Sequence, residues 1–216
     1  MELSGAEILW ESLINEGVTV VFGYPGGAIM PVYDVMLRYP VHHVLTRHEQ
    51  GAAHMADGYA RTSDKVGVAL ATSGPGASNL VTGIATAMLD SSPLVCITGQ
   101  VHSHLLGKDA FQEIDVTGIT LPITKHNFLI TSAAEVAEIV HKAFHIARSG
   151  RPGPVLIDFC KDAQINKATF KKGQTRKPIS LPGYITPIHA PEKDLKVAAD
   201  MIEKAEQPVI LAGQGV

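Results

Sequence analysis

Glu49 lies in TRHEQGAAHMADGYAR (46–61), where an extended run gives way to an alanine-rich helix. A carboxylate at a helix start ordinarily faces the positive end of the macrodipole. The helix that Glu49 opens is almost all small and apolar: Gly51, Ala52, Ala53, Met55, Ala56. A carboxylate in such surroundings is poorly hydrated and needs a partner with a proton to share. The stretch HEQGAAH looks at first like the zinc-protease pattern HExxH. Its histidines, His48 and His54, are six apart and position 52 is Ala, so one helical face does not present both to a metal. The other eight histidines share no ligand spacing. SGPGASN (73–79) follows a strand and opens a helix, as a dinucleotide fingerprint does. Asn79 replaces its third glycine, and the next acidic residue, Asp90, falls at the end of the following helix. That turn reads equally as a tight connection and as one wall of a pocket. GYPGGA (23–28) is a second glycine-rich turn after a strand, open to the same two readings.

The elements that must hold these turns alternate. Ser4 is a candidate N-cap, with Glu7 three residues on, for a helix over 4–16. Short β-branched runs predict strands at 18–23 and 42–46. Helices are expected at 29–38, with Pro31 in the first turn, and at 48–62. Strands follow at 66–73 and 93–99, around a helix at 77–89. Residues 103–121 read as irregular, 123–130 as strand, 133–148 as an amphipathic helix and 155–160 as strand. Strand alternating with helix implies an α/β fold, a mainly parallel sheet with helices on both faces. That unit is expected over 1–165. Residues 166–190 lose all period and read as a linker. A helix at 191–205 and a strand at 208–213 then start a second unit that looks cut off, so the sequence reads as a fragment of a longer polypeptide.

The 216 residues are 45% hydrophobic and 18% charged, enough for a sizeable core. A formal net charge of -3 argues against nucleic-acid binding, and KKGQTRK (171–177) reads as a solvated linker. No apolar run approaches the roughly 20 residues of a membrane span. Cys96 and Cys160 lie in apolar strand-like runs and read as buried free thiols. No targeting segment is visible, which fits a bacterial cytoplasm.

Taken in order, these pieces resemble the pyrimidine-binding domain of thiamine diphosphate enzymes. More narrowly they resemble the catalytic large subunits of the acetohydroxyacid synthase (acetolactate synthase) family. The matching stretches are VFGYPGGAIMPVYD (21–34), RHEQGAAHMADGYAR (47–61), TSGPGASNLVTGIATAMLDSSPLV (72–95), ITGQV (97–101), GKDAFQEIDVTGIT (107–120) and SGRPGPVLIDFCKD (149–162). RHEQGAA with TSGPG is shared across the thiamine enzymes; GYPGGA with DAFQE is narrower.

The resemblance implies that Glu49 hydrogen-bonds N1′ of the cofactor's aminopyrimidine and so promotes loss of the thiazolium C2 proton. Pyruvate then loses carbon dioxide, and the hydroxyethyl unit passes to a second pyruvate or to 2-ketobutyrate. It also implies that Tyr24, Pro25, Thr72, Pro75, Asn79 and Gln112 line the cofactor. Gly27, Ala28, Phe111, Gln112 and Lys161 would lie near the reacting carbon. Asp90 and Arg151 would touch FAD, retained structurally. Mg²⁺ and the diphosphate would bind a C-terminal domain bearing a GDG motif, which does not occur here. A central FAD-associated domain would begin within 191–216. A homodimer or homotetramer and a small regulatory subunit are expected partners, and the fragment by itself is expected to be inactive. The family usually has proline where Cys160 stands, and proline or alanine where His102 stands. The alternatives are a pyruvate oxidase, a catabolic FAD-free acetolactate synthase, a non-catalytic binding module of the same fold, or a dehydrogenase domain. Keeping Glu49 argues against the binding module; DAFQE and Arg151 argue against the two thiamine enzymes.

Overall fold

A computed structural model describes residues 1–171, 179, 181–186 and 189–213. The chain divides into two compact units, Met1–Ile179 and Ser180–Val216. The first is built on six parallel strands: β2 (Val20–Gly23), β3 (His42–Leu45), β4 (Gly67–Ala71), β5 (Leu94–Gln100), β6 (His126–Ile130) and β7 (Pro154–Cys160). Their order across the sheet is β3-β2-β4-β5-β7-β6. Every residue of β4, β5 and β7 is buried, because helices cover both faces. A small antiparallel pair, β1 (Glu2–Ser4) with β8 (Lys167–Thr169), ties the start of the chain to the end of this unit.

Local chemistry accounts for the helices. Ser4 caps α1 (Gly5–Asn15) in a full capping box with Glu7, as the sequence predicts. Trp10 of α1 is fully buried and donates its indole N–H to the Val32 carbonyl at 2.8 Å, in α2 (Met30–Met36). α3 spans Glu49–Ser63 and α7 spans Val136–Arg148. The single helix expected over 77–89 is two: α4 (Pro75–Ser78) and α5 (Val81–Leu89). Asn79 and Leu80 keep right-handed dihedrals with ψ of -15° and -20°, and the Leu80 N–H bonds the carbonyl of Ala77, three back. The break is therefore a tightened turn.

Within 103–121 the chain is irregular apart from a 3₁₀ turn (Ser103–Leu105) and α6 (Val116–Thr120). The strand expected at 123–130 begins only at His126, because Leu121–Ile123 forms a 3₁₀ turn. One short helix was not foreseen: α8 (Lys161–Ile165), directly after β7. The stretch 166–190, read as periodless, begins with β8 and with a buried Phe170 whose N–H bonds the Met1 carbonyl. Residues 172–178, 180, 187 and 188 of that stretch lie outside the described residues.

The second unit contains α9 (Glu192–Lys204). The strand expected over 208–213 is not formed: these residues pair with no neighbour and Val209, Ile210 and Leu211 are exposed. An apolar, β-branched run becomes a strand only beside another strand; exposed as here, its backbone groups are left to water. The terminal Gln214, Gly215 and Val216 of the expected Gly turn lie outside the described residues. Among the described residues no helix is long and apolar enough to cross a membrane.

Glycine sets how closely the layers approach. A Cβ on Gly67, at the start of β4, would lie 2.1 Å from the Ala56 carbonyl oxygen of α3. Backbone cannot step aside as a flexible side chain does. Gly67→Ala is therefore expected to destabilise the chain by about 1–3 kcal/mol, read as a fall in urea midpoint with an unchanged slope.

Candidate functional site

The strand order reverses direction between β2 and β4: from β2 the chain moves to β3 on one side, and then to β4 on the other. In open parallel sheets the crevice beyond the carboxyl ends of strands at such a point is where ligands bind. Two loops flank it here. GYPGGA leaves β2 and TSGPG leaves β4.

Thr72 joins the two loops. Its hydroxyl accepts the Ala28 N–H at 3.1 Å. Its methyl and Cβ lie 2.5 Å from where a Cβ on Gly26 would stand, and its methyl is 2.7 Å from one on Gly76. The Ala28 carbonyl is held from the other side by Gln164 Nε2 at 2.8 Å. A Cβ on Gly99 would collide with the backbone of Ala28 at 2.6 Å. The GYPGGA loop is thus clamped by a hydroxyl, an amide and a strand backbone.

Glu49 opens α3 beside this clamp and is 8% exposed. The N-cap work at this helix is done by His48, whose Nδ1 accepts the Gln50 N–H at 3.1 Å. The Glu49 carboxylate is instead directed across the crevice. Its Oε2 accepts a bond from Asn79 Nδ2 at 2.9 Å, in the tightened turn between α4 and α5. Its Oε1 has no hydrogen-bond partner among the described residues and lies 3.2 Å from where a Cβ on Gly76 would be. Tyr33 lies in the field of this carboxylate: burial first, and Glu49 second, push its phenol well above its usual range. Its hydroxyl is buried without a partner, as is Nε2 of His43, whose ring meets it edge-on at 5.1 Å.

The segment 106–114, which contains DAFQE, adjoins the TSGPG loop. A Cβ on Gly74, whose φ is +56°, would lie 2.6 Å from the Gln112 carbonyl oxygen. Gln112 itself has φ of +56°, a left-handed conformation uncommon for a residue with a side chain. Phe111 beside it is 87% exposed.

Of the residues expected from sequence, the structure therefore brings together Glu49, Thr72, Asn79 and Ala28, with Gln112 over Gly74. Tyr24, Pro25, Gly27 and Pro75 are exposed on the same two loops. Lys161 starts α8, its N–H bonded to the Val101 carbonyl at 3.3 Å. Cys160 before it has φ of -59° and ψ of 140°, and His102 has the same pair of angles. Those are dihedrals that a proline adopts, so both departures from the family pattern keep the backbone course.

Asp90 and Arg151 are not brought to Glu49. They precede β5 and β7 and so lie at the opposite, amino-terminal end of the sheet, about 20 Å away along a seven-residue strand. Asp90 accepts from Arg61 at 2.6 Å. Arg151 bonds the Ser91 hydroxyl at 2.8 Å and the last carbonyls of α5, Met88 and Leu89, at 3.1 Å. A cavity of about 190 Å³ at that end is lined by Glu16, Val20, Tyr59 and Lys65 among others, and contains none of the expected site residues.

The crevice residues fit the aminopyrimidine of a thiamine cofactor. They offer one free carboxylate oxygen, with glycine at 76 where any side chain would fill the space beside it and glycine at 26 where one would meet Thr72.

A profile described as "Thiamine pyrophosphate enzyme, N-terminal TPP binding domain" matches residues 3–119. The chain belongs to the thiamine pyrophosphate (thiamine diphosphate) enzyme family. Among its relatives, it is 52% identical over 214 residues to a probable acetolactate synthase large subunit of Methanocaldococcus jannaschii, covering 99% of this chain and 36% of that protein. It is 50% identical over 216 residues to an acetolactate synthase of Mycobacterium bovis, covering 100% of this chain and 34% of the relative. With the acetolactate synthase large subunit of Corynebacterium glutamicum the identity is 50% over 216 residues, 99% and 34% of the two chains. The chain spans about a third of the length of these curated relatives.

Sequence reasoning missed a buried polar cluster under the sheet's carboxyl end. Asp158 of β7 is 2% exposed and accepts Thr98 Oγ1 at 2.8 Å and Gln100 Nε2 at 2.9 Å. A signal was present: VLIDFC places one acid in an otherwise apolar buried strand. Burial pushes the Asp158 carboxyl up from 3.8 to about 7, against the two hydrogen bonds, and Asp115 adds to the rise. A carboxyl whose folded pKa is raised is protonated equally in both states at low pH. The folded state binds the extra proton between the two values, so this group's contribution falls as pH rises from about 4 to about 7. Asp158→Asn removes that slope. Relative to the parent, the variant is expected to gain stability across that interval, by about 1.4 kcal/mol per unit of pKa difference, measured by urea unfolding at each pH.

Proposed function

We propose that this chain is the pyrimidine-binding part of an acetolactate synthase large subunit, a transferase of branched-chain amino-acid biosynthesis. The observation that carries the reading is the buried Glu49 carboxylate, with one oxygen fixed by Asn79 and the other free in a glycine-walled crevice. Its likeness over 99–100% of its length to proteins named acetolactate synthase supports the choice within the thiamine enzymes.

In this reading Glu49 Oε1 holds the proton at N1′ of the aminopyrimidine. Asn79 keeps that carboxylate from turning away, and burial strengthens its hydrogen bond by lowering the local dielectric. When bound, thiamine diphosphate supplies the acidic carbon that adds to the keto group and accepts the electron pair released with carbon dioxide. Tyr24, Pro25, Thr72, Pro75 and Gln112 border the ring. Gly27, Ala28 and Phe111 border the reacting keto acid, and Lys161 attracts its carboxylate.

The donor is pyruvate; the acceptor is pyruvate or 2-ketobutyrate. Asp90 and Arg151 contact FAD at the far end of the sheet, and Nη1 of Arg151 makes no bond among the described residues. Residues 1–165 form the pyrimidine domain, and the 166–190 linker leaves it after β8 and the buried Phe170, which pack on the first unit. Residues 191–216 open the FAD-associated domain, and the diphosphate with Mg²⁺ is held elsewhere in the longer polypeptide. That polypeptide works in the cytoplasm as a homodimer or homotetramer with a small regulatory subunit.

Two measurements test the reading. In the complete gene product with thiamine diphosphate, Mg²⁺ and FAD, acetolactate forms from pyruvate, and Glu49→Gln lowers the rate by about 10²- to 10⁴-fold, the range of a general acid–base group. A folded, cofactor-loaded variant with full activity contradicts the role of Glu49, and hydrogen peroxide in place of acetolactate points to an oxidase. This 216-residue chain by itself is expected to show no thiamine diphosphate binding by isothermal titration at micromolar concentrations.

A further inference from the structure

The segment 106–114 holds its own shape and is fastened at both ends, to α8 on one side and to the sheet on the other. Within it, Glu113 accepts the N–H groups of Gly107 and Ala110, the latter at 2.9 Å, closing the loop on itself. On its amino-terminal side, Asp162 of α8 accepts the Ser103 N–H at 3.0 Å and the Ser103 hydroxyl. On its carboxyl side the fastening is Gln100, the last residue of β5. Gln100 Nε2 donates to the Ile114 carbonyl at 3.1 Å and to Asp158 Oδ2 at 2.9 Å, while its Oε1 accepts the Val101 N–H at 2.8 Å. Both N–H groups and the oxygen are spent, and only this orientation of the amide satisfies all three partners.

Of these three partners, Asp158 is the one side chain, and the one whose removal leaves the backbone as it is. It lies in β7 opposite Thr98 of β5 and is held there by the Thr98 hydroxyl. A cavity of about 320 Å³ lies against it, lined among others by Gln100, Gly107, Glu113, Ile114 and Asp115. Gln100 is 3% exposed, and all three of its polar groups are held by hydrogen bonds on the wall of that cavity. Two residues before Ile114, the Gln112 backbone rests on Gly74.

We propose that Asp158 is a positioning residue: acting through Gln100, it fixes where Phe111 and Gln112 stand beside the TSGPG turn. That placement bears on the keto acid only if the function proposed above is right. The anchor itself does not depend on it.

Amide hydrogen exchange on this chain reads the anchor directly. In the parent, the Val101 amide is expected to be protected, and free exchange there overturns the proposal without any variant. Asp158→Val removes the acceptor at similar volume. It is expected to speed exchange at Val101 and across 107–113 by about tenfold, as for the loss of one buried hydrogen bond, with the β4 and β5 core amides unchanged. Asp158→Asn keeps an oxygen for Gln100 and is expected to restore protection. Gln100→Met leaves Asp158 paired with Thr98 and reports the same anchor if Asp158→Val does not fold. Retained protection in either folded variant overturns the proposal.

In the complete gene product, the two disruptive variants are expected to raise KM for the keto acid by about tenfold with kcat changed less than about threefold, and Asp158→Asn to reverse this. Opened exchange with an unmoved KM upholds the anchor and counts against the segment as a wall of the substrate site.

Discussion

One threonine holds the crevice in shape. Thr72 stands where β4 ends and uses both halves of its branched side chain: the hydroxyl takes the Ala28 N–H, and the methyl fills the space that Gly26 and Gly76 leave open. A β-branched residue has few rotamers to lose, so this double contact is made at little entropic cost. The loop from β2 is set against the loop from β4 through it, and the Gly76 that it touches is also the residue facing the free oxygen of Glu49. Without that contact the reversal of strand order would still make a crevice, but its walls would not be fixed relative to the carboxylate.

Much of this was readable in the residues. Alternating apolar runs and capped helices gave the parallel sheet and most of its elements, because burial on both faces writes continuous apolar strands. Glu49 stood out because it began an apolar helix, and Asn79 because it broke a glycine pattern. What stayed hidden was pairing across long stretches of chain. Nothing in the local sequence shows that Asn79 bonds Glu49, thirty residues away, or that Gln164 reaches Ala28. The β1–β8 pair was equally invisible, since each strand is three residues long and they join the two ends of a unit. In the other direction, 208–213 carries the composition of a strand without a partner to make it one.

Polar residues inside the sheet follow a consistent division. Thr98, Gln100 and Asp158 satisfy one another between two central strands, and each sits near the carboxyl end where the loops depart. The amino-terminal end is organised differently. There Arg151 covers the final carbonyls of α5, and Arg61 makes a forked pair with the buried Asp57 before reaching the exposed Asp90. A buried network resists rearrangement because breaking one bond strands a desolvated group, whereas surface pairs exchange readily with water.

The matched dihedrals at His102 and Cys160 have a consequence for how such a chain can drift. His102 comes two residues after β5 and Cys160 is the last residue of β7, and both hold the backbone at the angles a pyrrolidine ring would impose. As far as φ and ψ go, exchange between proline and another residue there keeps the native path. The difference is carried by the denatured ensemble, which explores more conformations when the ring is absent. Lineages can therefore swap these residues for thiol or imidazole and register the change in folding equilibrium while the crevice keeps its geometry.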